Sequence, residues 1–290
     1  MHFVDAKGIL TAGKGGCGMN LYRGCSHGCI YCDSRSLCYQ FTHPFEDIEV
    51  KRNAPELLER ALRSRRKRCM IGTGSMSDPY LPCERELRLT RRCLEVICRH
   101  GYGVTLLTKS DLVLRDLDLL EEIHRRARCV VQMTLTTYDE ALCRILEPHV
   151  CTTARRIEVL KQVHARGIPT MVWLSPILPF LNDTEENLLP LLEACAACGV
   201  RGIVCFGMGM TLREGSREHY YAALERHFPG LKERYIRTYG NAYELSSPNS
   251  PRLYALFRDF CRARGLLYRP EDCFAWLEEL PEPYDQLSLF

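Results

Sequence analysis

The sequence has little net charge and contains no long run of apolar residues. Lysine and arginine exceed aspartate and glutamate by only three charges, so the overall balance does not point to a polyanionic partner. A basic run at residues 63–68 is interpreted as the solvated end of a helix, with a polyanion site as the alternative. No apolar stretch approaches the ~18 residues of a membrane-spanning helix, and the opening residues, MHFVDAKGIL, lack the segments of a signal peptide. We therefore expect a cytoplasmic protein without membrane segments.

Disulfides are not expected either, although cysteine itself is abundant. The chain has 17 cysteines in 290 residues, an odd number, and the sequence shows no sign of secretion. Most of these cysteines stand singly in apolar patterns, as Cys93 and Cys129 do, where a free thiol behaves as a small hydrophobic side chain. Three cysteines at positions 25, 29 and 32 form a separate, close group.

Short apolar segments alternate with helical patterns through the middle of the chain. The predicted strands cover residues 69–72, 103–108, 129–136, 168–174 and 202–208, and the predicted helices cover residues 84–99, 115–126, 139–146, 153–166 and 184–198. Repeated βα units of this kind form a parallel sheet with helical cover. Five or six units in one block favour a full or partial (β/α) barrel over two domains.

The alternation fades beyond about residue 228, and this sets the expected domain boundaries. We predict one barrel domain over residues 1–240 and a helical extension over residues 241–280, with a helix near 252–264. Two prolines in the sequence LPEPYDQLSLF predict an extended tail over residues 281–290.

Polar loops follow the predicted strands, at the end of the sheet where barrel enzymes place their chemistry. "GTGSMSDPY" follows the strand at 69–72, and "TKSD" ends the strand at 103–108. Lys109, in the second of these loops, is either a cation that faces an anionic ligand group or a surface lysine that precedes a helix.

The close cysteine group lies in "RGCSHGCIYC", with the spacing C-x3-C-x2-C. A [4Fe–4S] cluster held by three thiolates keeps one iron open to a small molecule. Gly24 and Gly28 allow the loop to fold tightly around such a cluster. The alternative is zinc, with a fourth ligand from His27 inside the loop or from Cys38 just beyond it. The spacing favours the iron–sulfur cluster.

With an aromatic residue, Tyr31, directly before the last cysteine, the motif resembles the signature of the radical S-adenosylmethionine superfamily. The resemblance implies a partial (β/α)6-type barrel in which Cys25, Cys29 and Cys32 bind the cluster and the open iron chelates S-adenosylmethionine. It also implies reductive cleavage of that cofactor to a 5′-deoxyadenosyl radical, which abstracts hydrogen from a substrate. An electron donor such as flavodoxin or ferredoxin is then required.

Further motifs narrow the resemblance to the spore photoproduct lyase family. They are "SDPY", "TKSDLVLRD", "ILEP" and "RRIEVLKQVHARGIP", and with the cysteine loop they span roughly residues 20–240. The resemblance implies DNA as the substrate. It also implies cofactor contacts from Ser77, Thr134 and Lys109, the last with the methionyl carboxylate of S-adenosylmethionine. Arg156, in the last motif, is interpreted as structural.

Two positions depart from the lyase pattern. The lyases carry a hydrogen-donating cysteine two residues before the matching serine, where this chain has Ser75, and a tyrosine after the last cluster cysteine, where it has Asp33. A serine O–H bond is too strong to donate a hydrogen atom readily to a carbon radical. Tyr31, Ser75 and the nearest alternative thiol in sequence, Cys83, are therefore the catalytic candidates.

The last residues resemble the short peptide by which bacterial repair proteins and polymerases bind the replicative sliding clamp. Gln286 supplies a polar contact, and Leu287, Leu289 and Phe290 supply hydrophobic anchors for a preformed groove. The alternative is an apolar terminus that packs on its own domain.

Three hypotheses follow. The first is a radical S-adenosylmethionine enzyme of the spore photoproduct lyase type that acts on damaged or modified DNA and is recruited by the sliding clamp. The second keeps the radical chemistry but moves the substrate to RNA, protein or a small molecule. The third is a non-catalytic, clamp-associated protein with a structural metal.

Overall fold

The computed structural model describes residues 1–13 and 15–281. Within these ranges the strands are β1 (His2–Val4), β2 (Leu10–Ala12), β3 (Gly16–Met19), β4 (Tyr22–Arg23), β5 (Glu49–Lys51), β6 (Met70–Thr73), β7 (Gly103–Thr108), β8 (Cys129–Thr134), β9 (Thr170–Trp173), β10 (Ile203–Val204), β11 (Gly209–Thr211) and β12 (Glu244–Ser246). The α-helices are α1 (Ala54–Ser64), α2 (Glu84–Leu87), α3 (Leu89–His100), α4 (Leu117–Arg126), α5 (Glu140–Leu146), α6 (Thr153–Ala165), α7 (Glu185–Ala197), α8 (Ser216–His227), α9 (Leu231–Tyr239), α10 (Ser250–Arg264) and α11 (Pro270–Glu278). None of the described helices has the length and apolar character needed to cross a bilayer.

The central sheet has seven strands in the order β10-β9-β8-β7-β6-β3-β2. Strands β3, β6, β7, β8, β9 and β10 run parallel, and β2 pairs antiparallel with β3 at the edge. The parallel α/β sheet predicted from the sequence is therefore confirmed. Whether it closes as a (β/α)6-type barrel stays a prediction. Because the parallel strands share one direction, the loops that follow them meet at one edge of the sheet.

Within each strand, the side chains of consecutive residues point to opposite faces of this sheet. Ile71 and Val131 belong to the large core under the covering helices. Their neighbours Met70 and Val130 pack on the other side against α11. The end of α11 is fastened near the start of β8, where Arg128 donates a hydrogen bond to the carbonyl of Glu279.

The helix predicted over residues 84–99 is interrupted in the structure. It divides into α2 and α3 at Arg88, which has a left-handed backbone with φ of 48°. The buried carboxylate of Glu84 accepts the backbone N–H of Thr90 at 2.7 Å, which holds the chain in this turn. The single-helix prediction is wrong because this capping contact is invisible in the apolar pattern.

Two smaller sheets lie beside the central one. Strands β1, β5 and β4 form one of them, and β4 leads directly into the cysteine loop. Strands β11 and β12 form the other, so that residues beyond 240 pair with the segment that follows β10. The division into residues 1–240, 241–280 and 281–290 stays a prediction.

Candidate active site

The three grouped cysteines line one cavity of about 110 Å³ at the carboxyl-terminal edge of the sheet. Backbone hydrogen bonds fix the loop that carries them. The N–H of Cys25 donates to the carbonyl of Phe45, and the N–H of Ile30 donates to that of Leu146, each at 3.0 Å. Cys25, Cys29 and Cys32 are therefore brought together as the sequence predicts, by contacts with residues distant in the chain.

Both glycines of the loop are required by its shape. Gly24 has φ of +88°, and a Cβ there would lie 2.4 Å from the carbonyl oxygen of Phe45. Gly28 has φ of +70°, and a Cβ there would lie 2.9 Å from the His149 ring. No other residue type fits these places without displacing the loop.

Burial raises the pKa of Cys25 to about 12, with a further contribution from Cys32. Burial likewise raises the pKa of the Cys29 thiol. These thiols are protonated at neutral pH unless a cation stabilises the thiolates. A metal cluster supplies that positive charge, so binding of the metal and loss of the thiol protons occur together.

The "SDPY" loop after β6 joins the cysteine loop to the end of β7. The Ser77 hydroxyl donates to the carbonyl of Gly24 at 2.6 Å. The Asp78 carboxylate accepts the hydroxyl of Thr108 and the backbone N–H of Lys109, both at 2.7 Å. Asp78 was not among the residues singled out from the sequence, although it stands in a quoted motif. Its two short contacts hold Lys109 at the cavity.

Lys109 lies at the end of β7 and lines the cysteine cavity. Burial alone would lower the pKa of its ammonium group, but the Cys29 sulfur in its thiolate form and the Glu147 carboxylate outweigh that effect and raise the pKa. The side chain is therefore charged. Its Nζ lies 5.9 Å from the centre of the Tyr31 ring. A fixed cation at this place suits an anionic ligand group.

Behind the cysteine loop, Tyr31 donates a hydrogen bond to the carboxylate of Glu147. Glu147 also pairs with Arg156 at 2.6 Å, and both of these side chains are fully buried. Burial raises the pKa of the Tyr31 phenol well above its ordinary value, and Glu147 adds to the shift. Arg156 has a further contact with the Thr134 carbonyl at 3.0 Å, in keeping with its structural interpretation. Sequence reasoning missed Glu147, although "ILEP" contains it.

A second cavity of about 480 Å³ adjoins the first and shares Tyr31, Cys32 and Lys109 with it. Phe206, after β10, lines this cavity with 59% of its surface exposed. Its ring packs against those of Phe274 and Trp173, at centroid distances of 6.1 and 5.6 Å. The larger cavity, next to the cysteines, is therefore lined by an exposed aromatic ring that two further rings hold in place.

The remaining predicted residues divide between the cavity and other places. Ser75, Ser77 and Thr134 line the cysteine cavity. Cys83 is half-buried at the start of α2, against the main core, and lines neither of these two cavities. Gln286, Leu287, Leu289 and Phe290 lie outside the described residues.

The two ligands considered for zinc also differ in position. Cys38 is exposed, with its sulfur 3.3 Å from Nη1 of Arg213, and it lines neither cavity. His27 is buried in the cysteine cavity, with Nδ1 3.6 Å from Asp78. The basic run at residues 63–68 precedes β6 and thus lies at the opposite edge of the sheet, which supports its interpretation as a solvated segment.

Comparison with known families identifies the chemistry of this cavity. The sequence model of the radical SAM superfamily matches residues 19–195, a range that includes the cysteine loop and most of the parallel strands. The chain belongs to the radical SAM superfamily. The cofactors of this radical SAM protein are therefore a [4Fe–4S] cluster and S-adenosylmethionine.

A relative in Mycobacterium tuberculosis, an uncharacterised protein, is 32% identical over an alignment of 234 positions, and the match covers 76% of this radical SAM chain and 66% of the relative. The chain thus spans slightly less than two thirds of the length of that curated relative. Among solved structures, a mutant of spore photoproduct lyase matches with a TM-score of 0.65 and 14% identity, over 92% of this chain and 80% of the lyase.

Another lyase mutant, with bound AdoMet (S-adenosylmethionine) and dinucleoside spore photoproduct, gives a TM-score of 0.60 and 14% identity over 85% of this chain and 73% of that chain. At such identity the likeness concerns the fold.

The described residues fit the cofactors. Three free thiols line one small cavity, and no further cysteine lines it, so a cluster bound there keeps one iron without a thiolate ligand. The adjoining cavity has room for a small molecule that could reach this iron, and Lys109 at the junction supplies a positive charge for an anionic group of that molecule.

Proposed function

We propose that this radical SAM protein is an enzyme of the spore photoproduct lyase type that acts on damaged or modified DNA. The observation that carries the proposal is the junction of the two cavities at Tyr31, Cys32 and Lys109. One cavity has the donor set for the cluster, and the other is open and carries an exposed aromatic ring.

Cys25, Cys29 and Cys32 would hold the cluster, and Lys109 would pair with the carboxylate of S-adenosylmethionine. When bound, these cofactors supply a 5′-deoxyadenosyl radical that takes a hydrogen atom from the substrate. Thr134 lines the same cavity and offers a polar contact to the cofactor. Ser77 acts in a different way, because its hydroxyl is already engaged by the Gly24 carbonyl. It fixes the position of the cysteine loop.

DNA is favoured as the substrate by the groups around the larger cavity. The exposed ring of Phe206 is a surface on which an unstacked base can lie. Arg213 lies at the rim, 3.6 Å from the lining residue Asp33, and donates to the hydroxyl of Tyr243 at 2.8 Å. An arginine held in this way is suited to a backbone phosphate. A solved structure of spore photoproduct lyase in complex with dinucleoside spore photoproduct supports the same substrate class.

The return of a hydrogen atom to the product must differ from that in the lyases, because Ser75 replaces the donor cysteine. Of the three candidates, Ser75 and Tyr31 line the cysteine cavity and Cys83 does not. A phenol O–H bond is weaker than that of serine, so Tyr31, whose hydroxyl is positioned by Glu147, can return a hydrogen atom (proton and electron together) to the product radical. The phenoxyl radical that remains would be restored by an electron from the external donor and a proton from solvent. We therefore assign the donor role to Tyr31 and only substrate contact to Ser75.

We further propose a barrel domain over residues 1–240 with a helical extension over residues 241–280. Residues 286–290 would dock the enzyme on the sliding clamp. Removal of the last five residues is expected to abolish binding to purified clamp in a pull-down or calorimetric assay. Unchanged binding by the shortened chain would exclude this mode of recruitment.

The decisive experiment measures 5′-deoxyadenosine formed anaerobically by the reduced, reconstituted enzyme. UV-irradiated DNA should increase its formation severalfold over the same DNA without irradiation. The Cys29→Ala variant, which lacks one cluster ligand, should form none. Equal formation with both DNA samples, or an increase with RNA instead of DNA, would contradict the proposed substrate while leaving the radical chemistry intact.

A further inference from the structure

A second group of metal-ligating side chains lies on the small sheet that precedes the cysteine loop. His2, His43 and Glu49 each offer one ligand atom, and these atoms lie within 4.8 Å of one another. His2 and Glu49 face each other across the paired strands β1 and β5. His43 joins them from the connection between the cysteine loop and β5. Three separate segments of chain therefore converge on one point.

The histidine rings are already oriented as metal ligands are. Nδ1 of His43 lies 3.0 Å from the carbonyl oxygen of Pro44, and Nδ1 of His2 lies 3.0 Å from the carboxylate of Asp47. An N–H at each of these positions donates to the oxygen and leaves Nε2 of the same ring as a bare lone pair. Metal-bound histidines commonly have their second nitrogen held by a carboxylate or a backbone carbonyl in this way.

The free nitrogen of His43 lacks a suitable protein partner. Its Nε2 is buried and has no hydrogen bond among the residues that the structure describes. It lies 3.8 Å from a carboxylate oxygen of Glu49. When the His43 ring is neutral and carries its proton on Nδ1, the lone pair of Nε2 faces the Glu49 carboxylate oxygen, and the two repel each other. A cation placed between them would attract both.

We propose that His2, His43 and Glu49 bind a divalent transition-metal ion, with Zn²⁺ as the ion that this ligand set fits. Two imidazoles and one carboxylate form a recognised zinc ligand set. At metal–ligand distances of about 2.0–2.2 Å, tetrahedral ligand atoms are ~3.3 Å apart. The three ligand atoms lie within 4.8 Å of one another here, so side-chain rotation would bring them to that spacing, and water would complete the fourth position.

The ion would fasten β1 to β5 and to the segment that holds the cysteine loop. Phe45, two residues after His43, accepts the N–H of Cys25 at 3.0 Å. The zinc site would thus be a structural cross-link outside the cysteine cavity, and its nitrogen and oxygen ligands differ in chemical class from the cluster thiolates. It does not depend on which substrate the enzyme uses.

Zinc binding to the tag-free full chain, reconstituted with its cluster so that the cluster thiolates are occupied, tests this site. Titration against a chromophoric chelator should show one Zn²⁺ per chain. His43→Ala and Glu49→Gln should each weaken the affinity at least tenfold. His100→Ala is the matched control, because His100 also faces a glutamate, Glu59, at 2.8 Å but belongs to no group of three metal-ligating side chains in the described part of the chain. Its zinc affinity should equal that of the unmodified chain.

Zinc X-ray absorption of the loaded protein gives an independent measurement that does not depend on how well a variant folds. Only nitrogen and oxygen neighbours near 2.0–2.1 Å are expected, and a sulfur shell near 2.3 Å would show that zinc binds to cysteines instead. A sulfur shell, an unchanged affinity in both ligand variants, or no zinc binding by the unmodified chain would each overturn the proposal.

Discussion

The hydroxyl of Ser77 donates a hydrogen bond to the carbonyl oxygen of Gly24 at 2.6 Å, which ties the loop after β6 to the loop of the cluster cysteines. Ser77 is buried, so its removal leaves that carbonyl without a partner. Ser77→Ala should lower the free energy of unfolding by about 1–3 kcal/mol and should speed loss of the cluster. Chemical denaturation and the decay of the cluster absorbance measure the two effects. Ser75→Ala, at an exposed neighbouring position, is the control and should change neither.

Lys109 is predicted to act on cofactor affinity and not on the cluster. Lys109→Met keeps most of the side-chain volume but removes the charge that faces the junction of the cavities. We expect S-adenosylmethionine to bind at least tenfold more weakly, a loss of about 1.4 kcal/mol, with iron content unchanged. Equilibrium dialysis under anaerobic conditions measures the affinity.

The control for this substitution is Lys161→Met, which changes an exposed lysine on α6. It should bind the cofactor as the unmodified enzyme does. If Lys109→Met also retained full affinity, Lys109 would be a structural cation and not a ligand of the carboxylate.

The buried pair of Glu147 and Arg156 predicts a dependence of stability on pH. Glu147→Gln leaves the arginine unpaired and should cost about 3–5 kcal/mol of unfolding free energy. Burial alone would raise the pKa of Glu147, but Arg156 and Lys109 outweigh it and hold the pKa below its ordinary value. The carboxylate therefore stabilises the fold above its unfolded-state pKa of roughly 4.3, and the contribution is lost as the pH falls through the lower folded value.

Urea denaturation of anaerobically prepared protein at several pH values measures this effect. The difference between the unmodified chain and Glu147→Gln should shrink as the pH decreases below about 4. Glu193→Gln, at an exposed position on α7, should show no such difference at any pH. If the difference in unfolding free energy between the unmodified chain and Glu147→Gln did not change with pH, the effect of the substitution would come from altered packing and not from lost charge.

Arg213 at the rim of the larger cavity is predicted to contact DNA phosphate. Arg213→Ala should weaken DNA binding severalfold and reduce the salt dependence of the affinity by about one charge. Fluorescence anisotropy over a range of salt concentrations measures both quantities. Arg66→Ala, in the basic run at the opposite edge of the sheet, should leave both unchanged. A larger effect at Arg66 would place the DNA on the other end of the protein.

The sequence predicts those parts of the site that depend on local spacing. The cysteine motif predicts three thiols that the structure brings to one cavity, and the end of a predicted strand points to Lys109. Ser77 and Thr134 are predicted from the resemblance to the lyase family, and both line the same cavity. The fit of Gly24 and Gly28 to positive φ follows from the same local geometry. Strands with continuous apolar runs, such as β7 and β8, were placed within one or two residues.

The contacts that the sequence could not predict join segments far apart in the chain. Tyr31 and Glu147 are separated by 116 positions, and no periodic pattern connects them. The strands of the small sheets have two or three residues, which is too short for an alternating pattern to be recognised. The packing of α11, through Cys273 and Leu277, on the side of the central sheet opposite the main core depends on the three-dimensional course of the chain.

The hydrogen bond from Arg128 to the Glu279 carbonyl fixes the edge of the central sheet at which the described part of the chain ends. Arg128 stands just before β8, so the last described residues leave the fold at the amino-terminal edge of the sheet. The cysteines and the open cavity lie at the other edge. The proposed clamp-binding residues 286–290 would therefore be connected to the edge of the sheet away from the cysteines. Recruitment and chemistry would then depend on opposite edges of the central sheet.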